Sequence, residues 1–370
     1  MAAARGYAFL GTAIRIAADD AAAAAWLDEF LTPAFAPWSD GPAGAGVRLT
    51  TTAAAREAVA ASRPAAAPPP TPAFALDREV VALPSWPIPG GTVLDDAKFG
   101  ASYVLRGGDV EVVPHRGSTR FRGGLMRVVR EIATARALAS PDRLQLHAAG
   151  FEVDGRAVLI AGAKAAGKTT LLAYVAASAA VRLLANDRAI LDRLDVRPVP
   201  TIVSVRPGTA ALFAERFRRV PAVASAAHLT LAEADAALVA RGPAGPDARL
   251  KLSPALFARC LGRPLSAGAR LAAIVFPEHD ADPAGLAVAR LPAPEAARRL
   301  RAARFGAHRE ETGPTAFARL AGAPRPAGAD DRLLDAVAGG VACLGVRIGA
   351  GRYADPSAAA RIVAAARAGT

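Results

Sequence analysis

Gly162-Ala163-Lys164-Ala165-Ala166-Gly167-Lys168-Thr169 has the spacing G-x-x-x-x-G-K-[ST], and each fixed position has a chemical reason. The glycines let the backbone curl so that successive N–H groups face a phosphate, and the N-terminus of a following helix adds partial positive charge. Lys168 then reaches the β- and γ-phosphates of a nucleotide, and the Thr169 hydroxyl coordinates magnesium. Thr170 follows in the first helical turn. Lys164 occupies a variable loop position, solvated or at the nucleotide's rim. Lysine occurs only at Lys98, Lys164, Lys168 and Lys251, against a background of abundant arginine. A lysine in such a chain marks chemistry that a planar guanidinium does not do, and two of the lysines fall in this one loop.

Phosphate binding becomes a reaction only if other groups converge on the loop. Asn186 and Asp187 end the apolar stretch that follows the loop helix. In a parallel sheet that end lies beside the phosphate loop. A carboxylate there can hold magnesium or accept a proton from an attacking hydroxyl; an Asx turn is the plainer alternative. Glu278, with His279 and Asp280, is a second acidic candidate, although Pro277 and the following Asp-Ala-Asp-Pro suggest an exposed loop. His147 precedes the loop on a strand and could point at the phosphates or serve only structure. Lys251 follows Gly242-Pro243-Ala244-Gly245-Pro246, where a cation on a mobile loop could clamp phosphate. His115, His228 and His308 have no partners at useful spacing, and neither a Ser-His-Asp nor a metal-ligand pattern is visible.

The elements around the loop supply its context. Leu144 to Val153 and Ala157 to Ala161 alternate as strands joined by the turn Asp154-Gly155. Lys168 to Ala180 is predicted as a helix, and Val181 to Ala185, Ala189 to Leu194 and Thr201 to Val205 as strands. Strand, glycine loop, helix, strand is an α/β unit. Helices over 254–261, 294–305 and 330–338 and strands over 271–276 and 344–348 complete a domain spanning 141–370. Residues 1–140 read as a separate α+β domain with a substrate-presenting or regulatory role. Here Tyr7 to Ile16 reads as a strand, Asp19 to Leu31 as a helix and Ala60 to Pro72 as a linker or exposed loop. Ser102 to Leu105 with Val110 to Val113 makes a hairpin, and Gly124 to Leu138 a helix.

Composition closes several other routes. The chain has 370 residues, 52% of them apolar and 21% charged, which is core-forming material and too little charge for disorder. Its longest uncharged apolar run, Leu171 to Val181, is about half what a membrane-spanning helix requires. Arg5 and the apolar stretch after it lack a convincing signal peptide, and Cys260 and Cys343 make no disulfide framework. A cytoplasmic, membrane-free protein is the expectation. The net charge of +12 comes from arginines scattered singly without interleaved aromatics, a pattern of solvated helix faces and not of a nucleic-acid groove.

Leu146-His147-Ala148-Ala149-Gly150, Val153 to Ile160, Gly162 to Thr170 and Leu183-Leu184-Ala185-Asn186-Asp187 together resemble the catalytic domain of HPr kinase/phosphorylase and its HPr-kinase-like relatives. The likeness covers about fifty residues, Leu144 to Leu191, and is absent from the first 140. It implies a P-loop kinase domain of the HPr kinase/phosphoenolpyruvate carboxykinase-like type, using ATP and Mg2+ to phosphorylate a serine. It further implies Lys168 and Thr169 in phosphate and magnesium roles, Asp187 as the base that receives the serine proton, beside the magnesium-holding role its position suggests, and His147 as the family's upstream histidine. The family's first aspartate is Asn186 here, and Arg206-Pro207-Gly208 stands where the bifunctional enzymes carry a Glu-containing glycine motif. The expectation is an ATP-dependent kinase acting on a hydroxyl of a protein, peptide or small molecule, with a homo-oligomer compatible with the sequence. The alternative is an ATP-binding accessory or regulatory protein of a bacterial peptide-modification pathway without productive transfer.

Overall fold

A computed structural model describes residues 3–39, 44–75, 79–163, 165–217, 250–305, 314–320 and 328–368. The chain divides into two compact units, Met1–Ser140 with Gly306–Arg325, and Pro141–Phe305 with Pro326–Thr370. The second unit is therefore not one continuous C-terminal stretch. The short helix Ala316–Arg319 packs in the first unit, where Phe317 stacks on Phe74 with ring centroids 4.7 Å apart.

In the first unit nine strands, β1 (Ala3–Phe9), β2 (Thr12–Ala18), β3 (Ala36–Pro37), β4 (Ala45–Leu49), β5 (Pro70–Ala75), β6 (Val80–Ile88), β7 (Gly91–Asp96), β8 (Ala101–Arg106) and β9 (Asp109–Pro114), form one sheet. Their order is β3-β1-β2-β4-β9-β8-β7-β6-β5. The stretch expected as one strand from Tyr7 is a hairpin, because Leu10 and Gly11 both take positive φ (48° and 78°) and turn the chain. Much of the expected linker is also ordered: helix Ala53–Ala61 runs into it and β5 begins at Pro70. Period-two alternation sorts the sheet's two faces. Tyr103 faces Phe74 and Phe317, on the side of helix Phe121–Ala137, whereas Trp86, Val93, Val104 and Val113 cluster under Ala55 and Val59 of helix Ala53–Ala61.

The second unit is α/β, with a mixed sheet between helices. Its strands are β10 (Arg143–Leu146), β11 (Ala148–Val153), β12 (Arg156–Ala161), β13 (Arg182–Ala185), β14 (Ala189–Asp192), β15 (Asp195–Pro198), β16 (Val203–Val205), β17 (Leu250–Leu252), β18 (Ala269–His279), β19 (Leu286–Arg290) and β20 (Ala342–Ile348). The main order is β10-β14-β15-β18-β12-β11-β13, with β20 alongside the later part of β18, while β16 and β17 pair separately. Alternate residues of β12 enter different cores. Val158 and Ile160 meet helices Lys168–Ser178, Pro254–Leu261 and Pro356–Ala368, and Leu159 and Ala161 meet helices Ala293–Ala302 and Ala329–Gly340. Among the described residues no helix is long and apolar enough to cross a membrane.

The sheet is mixed, as the hairpin through Asp154-Gly155 requires, and the strand after the loop helix is not the direct neighbour of β12. β12 is parallel to β18, but β13 is an edge strand antiparallel to β11, which is itself antiparallel to β12. Two reversals restore direction, so β13 runs the same way as β12, one strand removed. Its C-terminal end still emerges on the side of the glycine loop.

Candidate active site

The glycine loop leaves β12 at Gly162, where the strand is gripped from both faces by the two cores. Gly162 takes φ +153°, and a Cβ there would meet the Ala166 methyl at 3.3 Å. Gly167, which caps helix Lys168–Ser178, takes φ +88°. Ala165 holds φ +72°, a conformation that costs a side-chain-bearing residue free energy and persists only where the surroundings impose it. Lys164 lies outside the described residues.

Lys168 is buried, and its Nζ donates to the carbonyl oxygens of Gly162 at 2.8 Å and Ala163 at 2.9 Å. An ammonium in such a place is stable because loop oxygens replace its water. Thr169 is half-buried in the first helical turn. The Thr170 hydroxyl is engaged instead with Thr209 Oγ1, 2.6 Å away on helix Pro207–Leu212.

His147 stands at a break that the alternation of Leu144, Leu146 and Ala148 does not announce. The expected single strand 144–153 is two: β10 pairs with β14, whereas β11 pairs with β12 and β13. The chain changes partners at His147, whose backbone N–H donates to Ala303 O at 2.7 Å, while Phe305 N–H donates to Gln145 O at 2.9 Å. Residues 303–305 thus hold the break open. His147 Nε2 lies 3.0 Å from Asp187 Oδ1.

Asp187 sits in the connection between β13 and β14. Its other oxygen lies 3.8 Å from Arg188 Nε, and the buried Arg188 guanidinium stacks on Phe305 at 3.9 Å from the ring centroid. Burial works to raise the Asp187 pKa. The hydrogen bond from His147, then the charges of Arg188, His147 and Lys168, outweigh burial and bring it down to about 2. The carboxylate consequently remains ionised at neutral pH. Its side chain keeps 41% of its surface exposed, so it is also open to a ligand.

The neighbouring Asn186 is turned aside, its Oδ1 accepting from Thr201 Oγ1 at 3.2 Å. Glu278 and His279 prolong β18 and do not lie in a loop, and Glu278 pairs with Arg299 of helix Ala293–Ala302. Lys251 likewise lies in a strand, paired through Ser204, and the Gly-Pro segment before it lies outside the described residues, as do His228 and His308.

The structure therefore brings Asp187 and His147 into direct contact, with Arg188 at the other carboxylate oxygen and the charge of Lys168 acting on the same group. Arg188, Thr201 and Phe305 support this arrangement, although the sequence reading singled out none of them. Only the adjacency of Arg188 to Asp187 offered a hint, since the positions of Thr201 and Phe305 depend on tertiary pairing. Compared with known proteins, the chain matches no protein-family model and no curated sequence.

Proposed function

We propose that the second unit is a magnesium- and ATP-dependent kinase, of the P-loop HPr-kinase-like type, that phosphorylates a hydroxyl, in the first instance a serine of a protein or peptide in the cytoplasm. The observation that carries this reading is the Asp187 carboxylate, hydrogen-bonded to His147 and electrostatically coupled to Lys168 of the glycine loop. The residues suit both ligands. Positive φ at Gly162, Ala165 and Gly167 is the kind of backbone conformation that lets successive N–H groups face a phosphate, and a buried ammonium offers the matching charge. Thr169 and Asp187 are hard oxygen donors of the kind magnesium takes when phosphates complete its coordination.

In this mechanism Lys168 exchanges its two carbonyl partners for phosphate oxygens and stabilises charge developing on the transferred group. Thr169 and Asp187 would hold magnesium, which when bound neutralises phosphate charge. The acceptor hydroxyl oxygen forms a bond to the γ-phosphorus as the bond to the β–γ bridging oxygen breaks. The hydroxyl proton passes to Asp187, and ADP leaves. A carboxylate with a pKa near 2 is a weak base, and a loose transition state asks little of the base. His147 fixes the carboxylate's orientation.

The test is phosphate gain on serine-containing peptides with ATP and magnesium, followed by mass spectrometry, in wild type and Lys168→Ala. Asn186 favours a second reading. With an amide where a second carboxylate would add charge, and with that amide held by Thr201, the unit could bind ATP as an accessory protein without transfer. Tight ATP binding with no phosphorylated peptide would support that reading.

A further inference from the structure

A recess of about 590 Å³ lies in the first unit, between helix Ala53–Ala61 and the sheet face of β6 to β9. That volume suits a small organic ligand. Its floor is polar. Sheet register sets Asp95 opposite Ser102, and His115, just beyond β9, reaches both. Asp95 Oδ1 accepts from Ser102 Oγ at 2.9 Å and lies 2.9 Å from His115 Nε2, while Asp95 Oδ2 accepts from Arg63 Nη2 at 3.0 Å.

Ser, His and Asp in contact invite a hydrolase reading, which the geometry refuses. A serine relay needs the serine and the carboxylate on different imidazole nitrogens. Here Ser102 Oγ, 3.2 Å away, and Asp95 both address Nε2. Ser102 is also only 3% exposed. The trio is a fixed floor whose carboxylate is satisfied. The His115 hydrogen bond outweighs burial, and with Ser102 and the charges of His115 and Arg63 it holds Asp95 below the usual carboxylate range.

The rim carries the opposite charge. Arg56, Arg63 and Arg116 line the recess against Glu57 and Asp95, leaving a net positive charge even with His115 neutral. Arg63 lies 5.7 Å from the Trp86 ring centroid, Arg56 donates to Thr51 O, and Arg116 is exposed. Between rim and floor the walls are apolar, from Val59, Ala60, Val113 and Pro114. A ligand that fits has an apolar body and an anionic end.

We propose that this recess binds a carboxylate carried on an apolar body, as a free small acid or as the C-terminal residue of a peptide. The site goes beyond the phosphotransfer reading and does not depend on it, because its readout is binding.

The experiment titrates the full chain with N-acetyl-leucine, its neutral amide and inorganic phosphate, following the shift of the Trp86 indole signal by NMR. The expected result is saturable binding of N-acetyl-leucine, with the amide and phosphate each weaker by about tenfold or more. Arg116→Ala and Arg63→Ala should each weaken the acid by about tenfold, and Arg156→Ala, on the second unit, should leave it unchanged. Arg116 is exposed, so its variant tests charge without disturbing the floor. Equal binding of acid and amide, equal binding of phosphate, or indifference to Arg116→Ala would overturn the proposal. A tetrapeptide ending in free leucine distinguishes the two sources: tighter binding than N-acetyl-leucine assigns the site to peptides, and equal or weaker binding assigns it to free acids.

Discussion

His147 Nε2 and Asp187 Oδ1 stand 3.0 Å apart, joining the point where the chain changes strand partners to the connection leaving an edge strand. The contact fixes one carboxylate oxygen, while Arg188 faces the other from 3.8 Å. A carboxylate so held has little orientational freedom left. Removing the imidazole should therefore cost catalysis more than binding. In His147→Ala, phosphate transfer is expected to fall about 100-fold, with ATP affinity within a few-fold of wild type. Loss of a donor raises the Asp187 pKa, so the acid limb of the pH–rate profile moves to higher pH. His147→Gln, which retains an N–H donor, should recover part of the rate; steady-state kinetics across pH checks both expectations.

The same pair makes an acid-sensitive contribution to stability. The Asp187 pKa is lowered from 3.8 to about 2 in the folded protein. Its stabilisation is then fully present above about pH 4 and is lost as pH falls through about 2. With the side chain 41% exposed, solvent screening reduces the contribution to about 1 kcal/mol. Denaturant midpoints of wild type and Asp187→Asn should differ at pH 6 and converge as pH falls toward 2.

Lys168→Ala removes the ammonium that bridges Gly162 O and Ala163 O. Calorimetric titration with ATP and magnesium should show affinity down by about 100-fold, the loss of roughly two charge-assisted hydrogen bonds. Gly162→Ala acts by another route. A side chain at φ +153°, pressed to 3.3 Å from the Ala166 methyl, should destabilise the unit by about 1–2 kcal/mol and weaken nucleotide binding by distorting the loop.

Asn186→Asp places a second carboxylate beside Asp187. Like charges raise each other's pKa and together attract a divalent cation. The apparent magnesium affinity of the ATP complex should rise several-fold, and the Thr201 hydroxyl, which now donates to Asn186 Oδ1, can donate to the new carboxylate as well. Magnesium titrations of activity in wild type and variant check this.

How far the sequence foretold this arrangement depends on whether local or distant forces decide each feature. The glycine loop and helix Pro254–Leu261 were readable because turn chemistry, capping and helical spacing are local; Ser253, Pro254 and Gly262 mark that helix at both ends. The break at His147 was not readable, because apolar alternation continues through it and only pairing with residues 303–305 imposes it. The position of β13 was not readable for a related reason: its direction is as expected, but β11 folds back between β12 and β13, and nothing local distinguishes an edge strand from its neighbour. The passage of Gly306–Arg325 into the first unit, and the meeting of Asp95, Ser102 and His115, likewise depend on tertiary packing and register.

The proposed mechanism requires Asp187 to serve transfer and not merely nucleotide binding. Its most direct test incubates lysate from the source cells with magnesium and ATP labelled on the γ-phosphate, adding wild type, Lys168→Ala or Asp187→Asn, and measures ATP affinity on the same preparations. The predicted result is an acceptor labelled by wild type and lost with both variants, while Asp187→Asn still binds ATP within a few-fold of wild type. Labelling by Asp187→Asn at the wild-type rate, or no labelled acceptor from a wild-type protein that binds ATP tightly, would contradict it.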